Sequence, residues 1–164
     1  MERVFVVALA VLALLSVPVL SRSTSEKKAP PAEGKAVYTF ITQTDSYKTW
    51  DLWPGKGELY TGKHPHGAFL TTYVSKDALK TITDKSGMFP EGAVLVKENY
   101  NKEKKLAAVT VMYRVKGYNP EAGDWFWAKY GADGSIQKEG MVKGCIGCHQ
   151  SKIDNDWVFT GNVK

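Results

Sequence analysis

Two cysteines and one histidine near the C-terminus constrain this chain more than any other feature of its sequence. They lie in the run Gly144-Cys145-Ile146-Gly147-Cys148-His149, and no other cysteine occurs among the 164 residues. Cys-x-x-Cys-His is the attachment signature of haem c, because two thiols bonded to the porphyrin vinyl groups bring the next histidine to the iron. The pattern therefore predicts one covalent haem c, bound by Cys145 and Cys148, with His149 as an axial iron ligand.

Other uses of a Cys-x-x-Cys pair fit this sequence less well. A thioredoxin-like redox pair belongs near the start of a βαβ unit, whereas this pair lies close to the end of the chain. A zinc site needs two further ligands at regular spacing, and His64 and His66 are too distant to form a compact knuckle. A disulfide across only two intervening residues would be strained. We therefore favour haem attachment.

The N-terminal residues have the pattern of an export signal. A short charged start, Glu2-Arg3, precedes an apolar run from Val4 to Leu15, and small residues with Pro18 follow. We predict a signal peptide over residues 1–21, a polar flexible linker over 22–35 and a haem domain over 36–164. The domain is then periplasmic. If the signal stayed uncut, the segment from Val4 to Leu20 would be just long enough for an N-terminal membrane anchor.

The composition is that of a folded domain: 43% of the residues are hydrophobic and 12% aromatic. The formal net charge is +5, but the lysines are dispersed and do not gather on one helix. This distribution favours a solvated surface and argues against a nucleic-acid partner.

Hydrophobic alternation predicts a mainly β, or α+β, domain. Strands are predicted at Ala68 to Val74, Ala93 to Glu98, Ala107 to Val115 and Trp125 to Tyr130. Short helices are predicted at Asp45 to Asp51, at Lys76 to Thr83 and at the haem motif. This order favours an antiparallel sheet with a few short flanking helices and a C-terminal haem c attachment site.

The ligand on the other side of the iron is left open by the sequence. His64 and His66 both lie in the run Gly62-Lys63-His64-Pro65-His66-Gly67. A second strong ligand would give a low-spin iron suited to electron transfer, whereas an open position would let the iron bind small molecules.

Several segments together resemble one protein family. They are Glu91 to Glu98, Cys145 to Gln150 and Asp156 to Thr160, together with Thr71 to Val74 and Gly123 to Trp125. From about Ala36 onward the chain resembles cytochrome P-460 and its relative cytochrome c prime-beta. The resemblance implies a mainly β homodimer with one five-coordinate haem. Its enzyme members oxidise hydroxylamine, with or without NO, and carry a bond between a lysine and the porphyrin edge.

The resemblance makes Lys97 the lysine that corresponds to this cross-link. Strand alternation places Lys97 on the same face as Leu95. The chain departs from the family pattern because it has His66 and Leu70 where the enzymes have a Phe-x-x-x-Arg arrangement. Candidates for a carboxylate that relays protons are Glu98 and Glu121.

Two functional hypotheses follow. In the first, the protein is an exported mono-haem cytochrome with an open distal site that binds NO or oxidises hydroxylamine, and it exchanges electrons with a redox partner protein. Phe69, Phe89 or tryptophans would line this distal pocket. In the alternative, the protein is a six-coordinate electron-transfer cytochrome with His66 or His64 as second axial ligand.

Overall fold

The computed structural model describes Met1 and residues 28–164. The remainder of the predicted signal peptide and the first part of the predicted linker lie outside the described residues. None of the described helices is long and apolar enough to cross a membrane.

One antiparallel sheet of seven strands forms the body of the domain. The strands are β1 (Asp51–Leu52), β2 (Tyr60–Thr61), β3 (Phe69–Val74), β4 (Val94–Tyr100), β5 (Leu106–Arg114), β6 (Trp125–Gly131) and β7 (Ile136–Gly140). Their order is β1-β3-β4-β5-β6-β7, and β2 also pairs with β3 on the side of β1. The predicted antiparallel sheet is confirmed.

The helices are short and lie at the margins of the sheet. They are α1 (Gly34–Thr39), α2 (Lys76–Asp84) and α3 (Lys143–His149), with a π-helical turn at Phe40–Thr44 and 3-10 turns at Tyr47–Thr49, Pro120–Ala122 and Gln150–Asn155. The haem motif lies within α3, as predicted.

Four predicted strands and the helix after β3 are confirmed within two residues at each end. The helix predicted over Asp45 to Asp51 is wrong. Only the 3-10 turn Tyr47–Thr49 forms there, because Asp51 and Leu52 are extended and pair with Val74 and Tyr73 of β3. Strand β7 was not predicted, since four of its five residues are exposed and its sequence shows no apolar alternation.

Both faces of the sheet are covered. On one face, valines and aromatic residues of β4, β5 and β6 pack against α1 and the turn that follows it, through Val37 and Ile41. On the other face, Trp125 and Trp127 of β6 pack with α2 and with Trp157 and Val158 of the C-terminal segment. The C-terminal segment therefore brings the haem motif to this second face.

The described end of the predicted linker is already packed against the domain. The Tyr113 hydroxyl donates a hydrogen bond to the carbonyl of Pro30 (2.9 Å), and the Tyr130 hydroxyl donates one to the carbonyl of Gly34 (2.8 Å). Folded contacts thus begin earlier than the predicted domain start at Ala36.

The first face of the sheet holds a buried carboxylate. Glu98 is fully buried, accepts hydrogen bonds from Tyr47 (2.8 Å) and Tyr100 (2.7 Å), and pairs with the ammonium of Lys48. Burial alone would raise the pKa of Glu98, but the hydrogen bonds from Lys48 and the two tyrosines outweigh burial and hold that pKa below its usual range. Glu98 therefore contributes to stability in its ionised form.

Replacing Glu98 should change both stability and its dependence on pH. Glu98→Ala is expected to lower the free energy of unfolding at pH 7 by about 3 kcal/mol, because two tyrosine hydroxyls lose their buried acceptor. The contribution of the carboxylate is complete above its unfolded pKa of about 4.3 and is lost as pH falls through the lower folded pKa. Glu98→Gln should therefore flatten the acid limb of a stability–pH curve measured by urea unfolding. The exposed control Glu103→Gln should not, and coincidence of the two curves would contradict the assignment.

Candidate functional site

A cavity of about 770 Å³ lies on the second face of the sheet, beside α3. This volume is in the range of sites that enclose a cofactor or a drug-sized ligand. Its walls come from β4, β5 and β6, from the loop before β3, from α3 and from the segment after α3. Among the lining residues are Leu95, Met112, Trp127, Val158 and Phe159, so much of the wall is apolar.

Helix α3 presents the haem motif to this cavity. Cys145 and Cys148 are three residues apart, which places them on one side of the helix, and both line the cavity. Both thiols are free, Cys145 half-buried and Cys148 exposed. Burial raises the pKa of the Cys145 thiol. The structure thus brings together all three predicted residues of the motif with no disulfide between the cysteines.

The imidazole of His149 is buried and held in one orientation. Its Nδ1 lies 2.6 Å from the carbonyl oxygen of Trp157, which can only accept, so Nδ1 carries the proton. The ring packs between Trp127 and Phe159, with ring centres 4.6 and 5.1 Å away. Burial lowers the pKa of His149. The ring is therefore neutral at pH 7, and its Nε2 is free to bind a metal.

The carbonyl that holds His149 belongs to an unusual backbone turn. Asp156 and Trp157 both have positive φ angles, 49° and 69°, which cost free energy for residues other than glycine. The side chain of Asp156 fixes this turn, because it accepts hydrogen bonds from the amide of Phe89 (2.7 Å) and from Arg114 (2.8 Å). The buried ion pair of Arg114 and Asp156 therefore helps to hold the Trp157 carbonyl, and through it the orientation of His149.

His66 lines the same cavity on the loop before β3. Its ring centre lies 6.3 Å from that of His149, and its Nδ1 lies 2.8 Å from the side-chain oxygen of Asn99. Glycine at position 67 allows this approach, because a Cβ there would collide with the backbone of Tyr100. Burial and the nearby Lys97 lower the pKa of His66 to about 4, so this ring is also neutral.

Lys97 also lines the cavity, on the same face of β4 as Leu95, as strand alternation predicts. Part of its side chain remains open to the cavity. Burial lowers the pKa of Lys97 to about 8, so at neutral pH a fraction of its amine is uncharged.

Other residues named from the sequence lie elsewhere. His64 is exposed and outside the cavity, so of the two candidate distal histidines only His66 faces the site. Glu98 points to the opposite face of the sheet, and Glu121 is exposed on a 3-10 turn. Phe89 is buried between Trp53 and Trp125, and Phe69 also lies outside the cavity lining. The aromatic residues that do line the cavity include Trp127 and Phe159.

The chemistry of the walls fits a haem. Four lysines line the cavity: Lys97, Lys102, Lys129 and Lys138. None of its described lining residues is an aspartate or glutamate. A haem brings two carboxylates and a flat apolar ring, which match the positive charges and the apolar wall. Among buried side-chain nitrogens and oxygens of the described residues, only Nε1 of Trp127 lacks a partner. No described group of three or more histidine, cysteine or acidic residues forms an alternative metal site.

Sequence reasoning missed Asn99 and Trp157 as parts of this site, and it expected tryptophans in the pocket without singling out Trp127. Asn99 lies two residues after Lys97 on the same strand, so alternation alone could have placed it on the cavity face. The role of Trp157 had no sequence signal, because it acts through its backbone carbonyl.

Asp156→Ala should loosen the support of His149. We expect the free energy of unfolding to fall by about 3–5 kcal/mol, because Arg114 is only 12% exposed and would lose its charge partner. The haem spectrum of the purified protein should shift as well, since the Trp157 carbonyl is no longer fixed. Asp154→Ala, an exposed neighbour, is the matched control. Equal stabilities and spectra for the two variants would contradict this role.

The sequence also matches a known protein family over most of the domain. Residues 44–160 match the sequence model of the family described as Cytochrome P460. No curated protein shows significant similarity to the chain. The matched span is more than half of the chain and includes His66, Lys97 and the whole haem motif. The chain therefore belongs to the cytochrome P460 family and is a haem-binding c-type cytochrome.

Proposed function

We propose that this protein is an exported mono-haem c-type cytochrome that binds small nitrogen species, NO or hydroxylamine, on the haem face opposite His149. One observation carries the proposal. A single cavity collects both motif cysteines and His149 on one side with His66 and Lys97 from distant parts of the sequence. Family membership supports the haem, and the resemblance to cytochrome P-460 supports the nitrogen chemistry.

The residues of α3 would hold the haem. Cys145 and Cys148 would form thioethers by adding their S–H bonds across two vinyl groups, and Nε2 of His149 would bind the iron. The bound group would supply a redox-active iron that binds NO and accepts electrons. The Trp157 carbonyl makes His149 a better electron donor to a metal by accepting its Nδ1 proton. This hydrogen bond is buried, and the rings of Trp127 and Phe159 pack against the imidazole.

Hydroxylamine oxidation also needs a group that accepts protons. No aspartate or glutamate is among the described residues that line the cavity. His66 and Lys97 do line it; at neutral pH the His66 ring is uncharged, and a fraction of the Lys97 amine is uncharged. We assign the proton-accepting role to these two residues in place of a carboxylate.

The cellular setting is part of the proposal. The N-terminal pattern supports export to the periplasm, with an N-terminal anchor if the signal stays uncut. The resemblance to cytochrome P-460 supports a homodimer. A c-type haem also needs a redox partner protein with which it exchanges electrons.

A second candidate function is electron transfer by a six-coordinate haem. The observation that favours it is the position of His66, whose ring centre is 6.3 Å from that of His149 across the cavity. In this case NO and hydroxylamine would leave the spectrum unchanged.

Intact-mass measurement tests the attachment of the haem. The purified protein should have the mass of the processed chain plus one haem, because thioether formation loses no atoms. Replacing both Cys145 and Cys148 with serine should allow acidified acetone to extract the haem, provided that Lys97 is not also bonded to the ring. The same measurement tests a bond between Lys97 and a ring carbon. Forming that bond removes two hydrogen atoms, which a peroxide would take up as oxidant, so the protein should be lighter by two hydrogens. After correction for the substitution itself, this deficit should disappear in Lys97→Ala and remain in the control Lys129→Ala. Extraction of haem from the unaltered protein would contradict covalent attachment.

Optical spectra test the binding of nitrogen species. We expect NO, added to the reduced protein, and hydroxylamine, added to the oxidised protein, each to shift the Soret band. An unusually broad, red-shifted ferrous Soret band that becomes ordinary in Lys97→Ala would indicate the cross-linked haem. Spectra of the unaltered protein that are indifferent to both ligands would overturn the proposed function and leave the electron carrier.

A further inference from the structure

We infer that His66 is the second axial ligand of the iron in the resting protein, that Asn99 positions it, and that small molecules bind by displacing it. This inference rests on the proposed haem site and concerns the state of that site before any ligand arrives.

The hydrogen bonds of Asn99 fix which nitrogen of His66 is free. The side-chain amide nitrogen of Asn99, with two N–H groups to donate, faces three oxygens: the carbonyls of Lys97 (2.9 Å) and Ala108 (3.2 Å) and the hydroxyl of Thr110 (3.2 Å). Its oxygen is therefore the atom that meets Nδ1 of His66, at 2.8 Å. Because that oxygen can only accept, Nδ1 carries the proton and Nε2 keeps its lone pair.

His66 and His149 thus have the same tautomer, fixed by the same kind of hydrogen bond. In each ring Nδ1 donates to a fixed oxygen, that of Asn99 or of Trp157, and Nε2 is left without a proton. Fixing the ring through the other nitrogen is how proteins orient histidines that bind metals. A distal histidine that served only to donate a hydrogen bond would need its proton on Nε2 instead.

The separation of the two rings agrees with a metal between them. A metal bonded at about 2 Å to one nitrogen of each imidazole holds the two ring centres about 6 Å apart. The observed separation is 6.3 Å. A small molecule bound between the iron and His66 would need a larger gap, so the described position of His66 fits direct ligation.

The hold on His66 is weak enough to be reversed. Besides the metal bond, its side chain is fixed by one hydrogen bond to a neutral amide, which contributes about 1 kcal/mol. Neighbouring Lys63, His64 and Pro65 are exposed. A strong ligand such as NO can therefore replace His66.

Absorption and electron paramagnetic resonance spectra of the full-length haem protein test this inference. The unaltered protein should be low-spin, and His66→Ala should be high-spin and return to low-spin when imidazole is added. Asn99→Ala should give a mixture of the two spin states. If His66 is bound in about nine-tenths of the molecules, its removal should tighten hydroxylamine binding about tenfold.

The matched control is His64→Ala, which removes an exposed histidine two positions away. It should keep the low-spin spectrum. A high-spin spectrum in the unaltered protein, or no change in His66→Ala, would overturn the inference and leave NO binding intact. Low-spin protein that opens in His66→Ala but binds neither nitrogen species would support the inference and contradict the proposed function.

Discussion

The hydrogen bond from His149 to the carbonyl of Trp157 is the interaction on which the site depends. It fixes the tautomer of a buried imidazole and therefore decides which nitrogen faces the cavity. The carbonyl can point that way only because Asp156 and Trp157 adopt positive φ angles, which Arg114 of β5 helps to maintain. A conformation that is unfavourable in isolation is thus held by the central strands, as is common where backbone strain serves a site.

The sheet places the side chains of two adjacent residues in different environments. Lys97 and Glu98 are adjacent in β4, yet alternation sends Lys97 to the cavity and Glu98 to the opposite face. There Glu98 forms an ion pair with Lys48 and accepts hydrogen bonds from two tyrosines. On the cavity side of the sheet, burial lowers the pKa of Lys97. A one-residue change of register would exchange these two environments.

Much of this arrangement could be predicted from the sequence, and the limits have physical reasons. The haem motif and the long strands depend on local patterns, and they lie where the sequence indicated. The helix predicted over Asp45 to Asp51 failed because pairing with β3 overrides a weak local preference. Glu98 was one of two candidate proton relays, but it faces away from the cavity, and no local pattern indicated its contact with Lys48, which is 50 residues away in the chain. The sequence could not decide whether His64 or His66 faces the cavity, because that depends on how the loop before β3 packs. The close approach of Gly67 to the backbone of Tyr100 is a long-range contact that no local pattern indicates.

Two features of the cavity wall cost free energy in the folded protein alone. Lys129 and Lys138 are directly opposite each other on β6 and β7, and like charges in that position destabilise a sheet. The Trp127 indole nitrogen beside His149 lacks an acceptor, which also costs free energy. An apolar guest with carboxylates relieves the repulsion among the lysines. Because the cavity walls come together only in the folded chain, the contacts of such a guest with them favour the folded state. Lys129, Lys138 and Trp127 therefore cost stability by themselves, and they are also among the residues that suit the cavity to an apolar group with carboxylates.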